Sequence, residues 1–289
     1  MSYFKALNLQ SEPFSTSPDP AFFYQSSGHR SALHRLEITI RLRRGLNLIL
    51  GDIGIGKTTL SRALLQTFAH ENGFLSYMIL DPHYKTEFQF LETLARMFGV
   101  MPAHRSTLDY REAIEKFLFQ KGVDENKTIV LVIDEGQKLS PPFLEILRTL
   151  LNYETNEYKL LQLVIFSQME LLPKIRKIRN FIDRVALKYI INPLDEMETK
   201  EMINFRLAKA GYNNSTQDLF TDSAIRLIFN HAQGYPRKIA LLCHNALEAI
   251  VMNGQDYVDE KVISDLIMEE LKQGWDQEQA KRLINANRD

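Results

Sequence analysis

The stretch LILGDIGIGKTTL, residues 48–60, constrains this chain more than any other. Within it Gly51-Asp52-Ile53-Gly54-Ile55-Gly56-Lys57-Thr58 satisfies GxxxxGK[ST] at every fixed position. Such a run has to sit between a strand and a helix. Its glycines let backbone N–H groups turn inward around an anion, and the helix starting near Lys57 aims its positive end at the same place. Residues 51–58 and the following Thr59 are therefore expected to cradle a polyphosphate. Lys57 reaches the β- and γ-phosphates, and the Thr58 hydroxyl ligates Mg²⁺. By average residue frequencies a chain of this length matches the pattern by chance about once in a hundred times, and the flanking apolar runs reduce that further.

A phosphate loop of this kind calls for a second feature, an apolar strand ending in an acid that holds the metal. IVLVIDE, residues 129–135, supplies it. Asp134 is expected to hold Mg²⁺, directly or through water, and Glu135 to orient and polarise an attacking water. The adjacent glutamate points to hydrolysis rather than to binding alone.

The rest of the chain agrees in pattern. The runs 46–50, 74–80, 128–134 and 161–166 are short, apolar and rich in β-branched or aromatic residues, and 187–192 is a fifth of the kind. Residues 58–71 and 87–99 carry apolar positions at three- and four-residue spacing, as helices do. Continuous strand hydrophobicity alternating with helices implies an α/β protein whose parallel sheet is covered on both faces. After Pro193 four helical patterns follow without a strand. The expected organisation is an extended arm over 1–30, an α/β core over 31–193, a small helical domain over 194–273 and a polar tail over 274–289.

Composition narrows the class. The formal net charge of -1 excludes a globally basic nucleic-acid binder but leaves room for a local basic patch. One cysteine, Cys243, excludes an intramolecular disulfide framework. Its apolar surroundings, IALLCHNALEAI, make it a core residue. The histidines show no HExxH or Cys/His spacing for a metal site. The first twenty residues lack the pattern of a signal peptide, and no apolar run is long enough to cross a bilayer. The protein is expected to be cytoplasmic.

With these residues placed, the chain resembles the AAA+ ATPases, and among them the general secretion pathway protein A (ExeA/GspA) family with its MSHA-pilus biogenesis relatives. The transposition regulators TniB and TnsC are more distant. EPFSTSPDPAFFYQSSGHRSAL, GDIGIGKTTL, IDEGQKLS, LLNYETNEYKLLQLVIFSQMEL, FRLAKAG and GYPRKIALLCHNAL carry the likeness, from about Tyr3 to Ile267. The resemblance implies a three-layer P-loop core followed by an all-helical lid, with ATP and Mg²⁺ as ligands and a homo-oligomeric ring or filament as the assembly.

It implies particular residues as well. Sensor 1, at the end of the fourth strand, falls on Gln168 with Ser167 second; relatives often read Gly-Gln there. An arginine finger for the neighbouring subunit's ATP falls on Arg184, although Ile182-Asp183 departs from the usual Gln-Arg pattern, and Arg176 and Arg179 compete for the role. Asp183 is expected to pair with Arg184 at rest. Sensor 2 falls on Arg237, in GYPRK, and Phe22, Phe23, Tyr24 and His29 are candidates for the adenine pocket or anchors of the arm.

Two stretches are basic. One carries Arg35, Arg41, Arg43 and Arg44. The other carries Lys174, Arg176, Lys177, Arg179, Arg184 and Lys188 against the single acid Asp183. The second suits a DNA backbone, a subunit interface or a solvated helix face equally. For process, the resemblance favours an envelope-assembly partner, in a secretion system or type IV-like pilus. A duplex-DNA-binding regulator of transposition is the alternative. Family members typically continue into a membrane span and a periplasmic peptidoglycan-binding region. These 289 residues contain neither, so a soluble subunit is expected.

Overall fold

The computed structural model describes residues 3–213 and 218–272. The tail expected over 274–289 lies outside the described residues. The chain divides into two compact units, Ser27–Asn192 and a second that joins Met1–Ser26 to Pro193–Asp289.

The described elements run α1 (Tyr3–Ala6), α2 (Ser27–Arg41), β1 (Leu46–Leu50), α3 (Lys57–Phe68), β2 (Phe74–Ile79), α4 (Glu87–Met97), α5 (Thr107–Phe119), β3 (Thr128–Ile133), α6 (Pro141–Leu150), β4 (Leu161–Ser167), α7 (Leu171–Arg176), β5 (Val185–Ile190), α8 (Glu196–Lys209), α9 (Asp222–Ala232), α10 (Pro236–Asn253) and α11 (Glu260–Lys272).

In the first unit five parallel strands take the order β2-β3-β4-β1-β5. All five expected strands are present, with ends shifted by no more than two residues. The three central ones, β1, β3 and β4, are buried along their whole length, because helices cover both faces and leave no solvent side. Edge strand β5 alternates half-buried and exposed instead. Pairing register sets Leu50 beside Ser167, and Ile133 beside Ile165. The loops after β1, β3 and β4 thereby leave the same edge of the sheet, at the carboxyl ends of central strands, where open α/β sheets place their ligands.

The second unit is helical. Its helices start where local chemistry allows. Asp195 and Glu198 form a reciprocal capping box at α8, the Thr221 side chain caps α9, and Pro236 occupies the first turn of α10. Cys243 is fully buried in this core, and burial pushes its thiol pKa up, as suits a packing residue.

The N-terminal segment corrects an expectation. It is not an extended arm to residue 30: α1 and a 3-10 turn at Pro20–Phe22 interrupt it, and α2 begins at Ser27. Through Ser26 it belongs with the helical unit. Tyr3 and Phe14 are buried there, with Phe14 edge-on to Phe220. The Gln10 N–H donates to the Ala210 carbonyl at 2.7 Å, and the buried Arg206 donates through Nη2 to the Ser15 carbonyl at 2.9 Å. Periodicity along the sequence could not show this, because the contacts join residues nearly two hundred positions apart.

Candidate nucleotide site

The loop between β1 and α3 takes the shape its glycines permit. Gly56 caps α3 with φ of 100°, a left-handed conformation that an L side chain rarely adopts. Ile55 is buried beneath the loop, and its carbonyl accepts from Nε2 of the buried His29 on α2 at 2.9 Å. His29 thus touches the phosphate loop. Phe22 lies under the Arg206 guanidinium, and the Tyr24 hydroxyl donates to Glu201; both are anchors within the helical unit. Phe23 follows the same turn, its N–H bonded to the Pro20 carbonyl.

Lys57 is 6% exposed, and its ammonium donates to the carbonyls of Gly51 and Asp52, each at 2.8 Å. Burial pushes its pKa down, while Glu135, Asp134, Asp52 and Glu170 pull it back, Glu135 most. A desolvated cation ringed by carbonyls and carboxylates, beside a helix N-terminus, is suited to an incoming polyanion.

Asp134, 1% exposed, directly follows β3 and accepts from the Glu135 N–H at 2.9 Å. Glu135 itself is left-handed, φ 53°, an uncommon state for a residue with a side chain. The Thr58 hydroxyl and the Asp134 carboxylate are hard oxygen donors. They are too few for a protein-only metal cage, but they suit Mg²⁺, which keeps waters and takes substrate phosphate oxygens. The donor set therefore fits the metal that the motif implies.

Sequence reasoning missed Gln137. Its Nε2 donates to Glu135 Oε2 at 2.7 Å, and its Oε1 accepts from the Gln168 N–H at 3.1 Å and faces the Ser167 hydroxyl at 3.2 Å. Ser167 is fully buried; Gln168, the first candidate for sensor 1, joins this bridge through its backbone. Nothing in the spacing of IDEGQKLS marks the glutamine, since its partners on β4 are thirty residues on. Gly136 makes the close approach possible, for a Cβ there would stand 2.3 Å from Ile165 Cγ2 and 3.2 Å from the Phe166 carbonyl. Gly136→Ala should therefore lower stability by about 1–3 kcal/mol, read as a reduced urea midpoint with unchanged slope; an unaltered midpoint refutes the tight packing of this turn against β4.

The basic stretch is less free than it reads. Lys174 is turned inward onto the carbonyls of Gln137 and Leu139, so it is no DNA-facing cation in this conformation. Arg184 is held by the Asn180 carbonyl at 2.6 Å and by Asn152 Oδ1 at 2.8 Å. The pairing expected with Asp183 is therefore replaced by Asn152, a residue thirty-two positions earlier. Lys177 and Arg179 line a surface cavity of about 650 Å³ with Arg148 and Glu145, while Arg176 and Lys188 are exposed. Arg237 stands exposed at the second residue of α10, in the helical unit.

Comparison with known proteins agrees with this geometry. Residues 40–175 match the family described as AAA domain. The chain is 35% identical to the general secretion pathway protein A of Aeromonas hydrophila over 254 residues, which is 87% of this chain and 45% of that protein. It thus spans less than half of that relative's length. Among solved structures, ORC2 of Aeropyrum pernix, described with ADPNP and ADP, aligns over 90% of this chain and 72% of its own (TM-score 0.63, 16% identity). The Drosophila ORC bound to DNA aligns over 93% and 66% (TM-score 0.68, 18% identity). At these identities the structural likeness speaks to the fold.

Proposed function

We propose that this chain, whose residues 40–175 match the AAA domain family, hydrolyses ATP to ADP and phosphate with Mg²⁺, and that ATP holds copies of it together. The observation that supports this most directly is the convergence of Lys57, Asp134 and Glu135 at the carboxyl ends of β1 and β3.

In this reading the amides of residues 51–58 hold the phosphates, and Lys57 exchanges its two carbonyl partners for phosphate oxygens. Thr58 and Asp134 would hold Mg²⁺, which would supply neutralisation of phosphate charge. Glu135 accepts a hydrogen bond from the attacking water and draws off its proton as the oxygen approaches the γ-phosphorus. Arg184 is the candidate for the neighbour's γ-phosphate. Its guanidinium, now engaged with two neutral asparagine groups, is readily exchanged onto an anion.

For process we favour assistance to an envelope-assembly machine, from the cytoplasmic side, on the strength of the 35% identity to general secretion pathway protein A. The rival reading is a DNA-dependent regulator of transposition. It draws on the exposed Arg176, Lys177 and Arg179 beside the cavity.

The test is the particle mass of the Glu135→Gln protein with ATP and Mg²⁺, with and without duplex DNA at physiological salt. Removal of the carboxylate should slow turnover about 100-fold or more and trap the ATP state. A larger particle with ATP alone is expected. Growth only in the presence of DNA would transfer the assignment to the rival, and a monomer under both conditions would refute ATP-gated assembly.

A further inference from the structure

Gln137 stands between the end of β4 and the carboxylate of Glu135, and the hydrogen bonds fix which way its amide points. A backbone N–H can only donate, so the atom facing the Gln168 N–H must be the amide oxygen. The nitrogen then faces Glu135 Oε2, at 2.7 Å, a donor on a carboxylate. The Ser167 hydroxyl shares its one proton between the same amide oxygen, at 3.2 Å, and the Gln168 carbonyl, at 3.0 Å. Two further contacts hold the turn that carries Gln137. Lys174 of α7 grips its carbonyl, and Lys138 pairs with Asp81, beyond β2, at 3.3 Å.

Glu135 has little other guidance. Its backbone is left-handed, and its side chain follows from a residue that neither a helix nor a strand orients. A glutamate side chain has three rotatable bonds, and ordering such a chain costs about 1.5–2 kcal/mol of rotamer entropy. The amide of Gln137 supplies that ordering in advance. The carboxylate so held stands directly after β3, at the same sheet edge from which the phosphate loop leaves β1.

We infer that Gln137 is a positioning residue for hydrolysis: it aims Glu135 at the phosphate site and ties that aim to the end of β4 through Ser167 and Gln168. This rests on the reading of Glu135 as the residue that directs water. The consequence is a coupling between two parts of the site. Any shift of the β4 end on nucleotide binding is passed to the carboxylate through one amide rather than through the sheet.

Gln137→Glu separates this role from a merely structural one. The new carboxylate still accepts from the Gln168 N–H and Ser167, so the link to β4 survives, but it repels Glu135 instead of donating to it. Steady-state ATP hydrolysis should show kcat reduced about tenfold or more with KM within about threefold. Affinity for a non-hydrolysable ATP analogue, unchanged from the parent, shows that the variant is folded. In the Glu135→Gln background the same substitution should change single-turnover hydrolysis by less than about twofold, because the group it acts through is gone. Normal kcat in Gln137→Glu, or losses that multiply in the double variant, would overturn the positioning role while leaving Glu135's own role standing. Undiminished turnover in Glu135→Gln alone would overturn both.

Discussion

Lys57→Ala should abolish nucleotide-induced stabilisation while leaving the ligand-free protein about as stable as before. The two halves of this expectation have different causes. In the ligand-free protein Lys57 is a buried cation whose partners are two carbonyls, and burial depresses its pKa. A charge held in that way adds little net stability, since its desolvation offsets its hydrogen bonds. Removing it changes the unfolding free energy by no more than about 1 kcal/mol.

With nucleotide the account reverses, because the ammonium exchanges its two neutral carbonyl partners for charged phosphate oxygens. Charge-assisted bonds from one ammonium to two phosphate groups contribute about 3 kcal/mol, so affinity falls about 100-fold. At a concentration 100 times the parent's Kd the parent gains about 2.7 kcal/mol, and the variant a few tenths. Differential scanning calorimetry with and without a non-hydrolysable ATP analogue measures both halves. A ligand-induced shift retained in full would remove residues 51–58 as the phosphate site. A large loss of ligand-free stability would mean that Lys57 is structural.

The second large effect belongs to the helical unit. Gly234 follows α9 with φ of 74°, and its carbonyl accepts from the Leu194 N–H at 2.9 Å. A Cβ built on it would lie 2.0 Å from the Leu194 carbonyl oxygen and 3.0 Å from two further Leu194 backbone atoms. These obstacles are backbone and cannot rotate away. Gly234→Ala therefore pays about 1 kcal/mol for the left-handed conformation, about 1 kcal/mol for the strained or lost Leu194 bond and about 1–3 kcal/mol for displaced packing. The expected total, about 3–5 kcal/mol, should lower the melting temperature by about 10 °C. Hydrogen exchange localises the damage: amides of α8 and α10 lose protection while those of β1, β3 and β4 keep theirs. A change of less than 2 °C, or loss of protection centred on the sheet, would contradict the close approach at Leu194.

The sequence by itself determined the chemistry whose parts are consecutive. Residues 51–58 fold as a loop between strand and helix because glycine, lysine and threonine each act within a few positions of one another, and the acid pair Asp134-Glu135 follows directly from an apolar strand. The five strands and the four helices after Pro193 were legible for the same reason, since burial on both faces and helical spacing are written residue by residue. The tertiary structure alone decided what lies between distant positions. It brought Gln137 to Ser167 and Gln168, gave Arg184 to Asn152 rather than to Asp183, turned Lys174 inward, and packed the first twenty-six residues with the helical unit instead of leaving them as an arm. A side chain's hydrogen-bond partner is fixed by which backbone elements the core brings side by side. Sheet order and chain crossing set that arrangement, and local residue pattern does not.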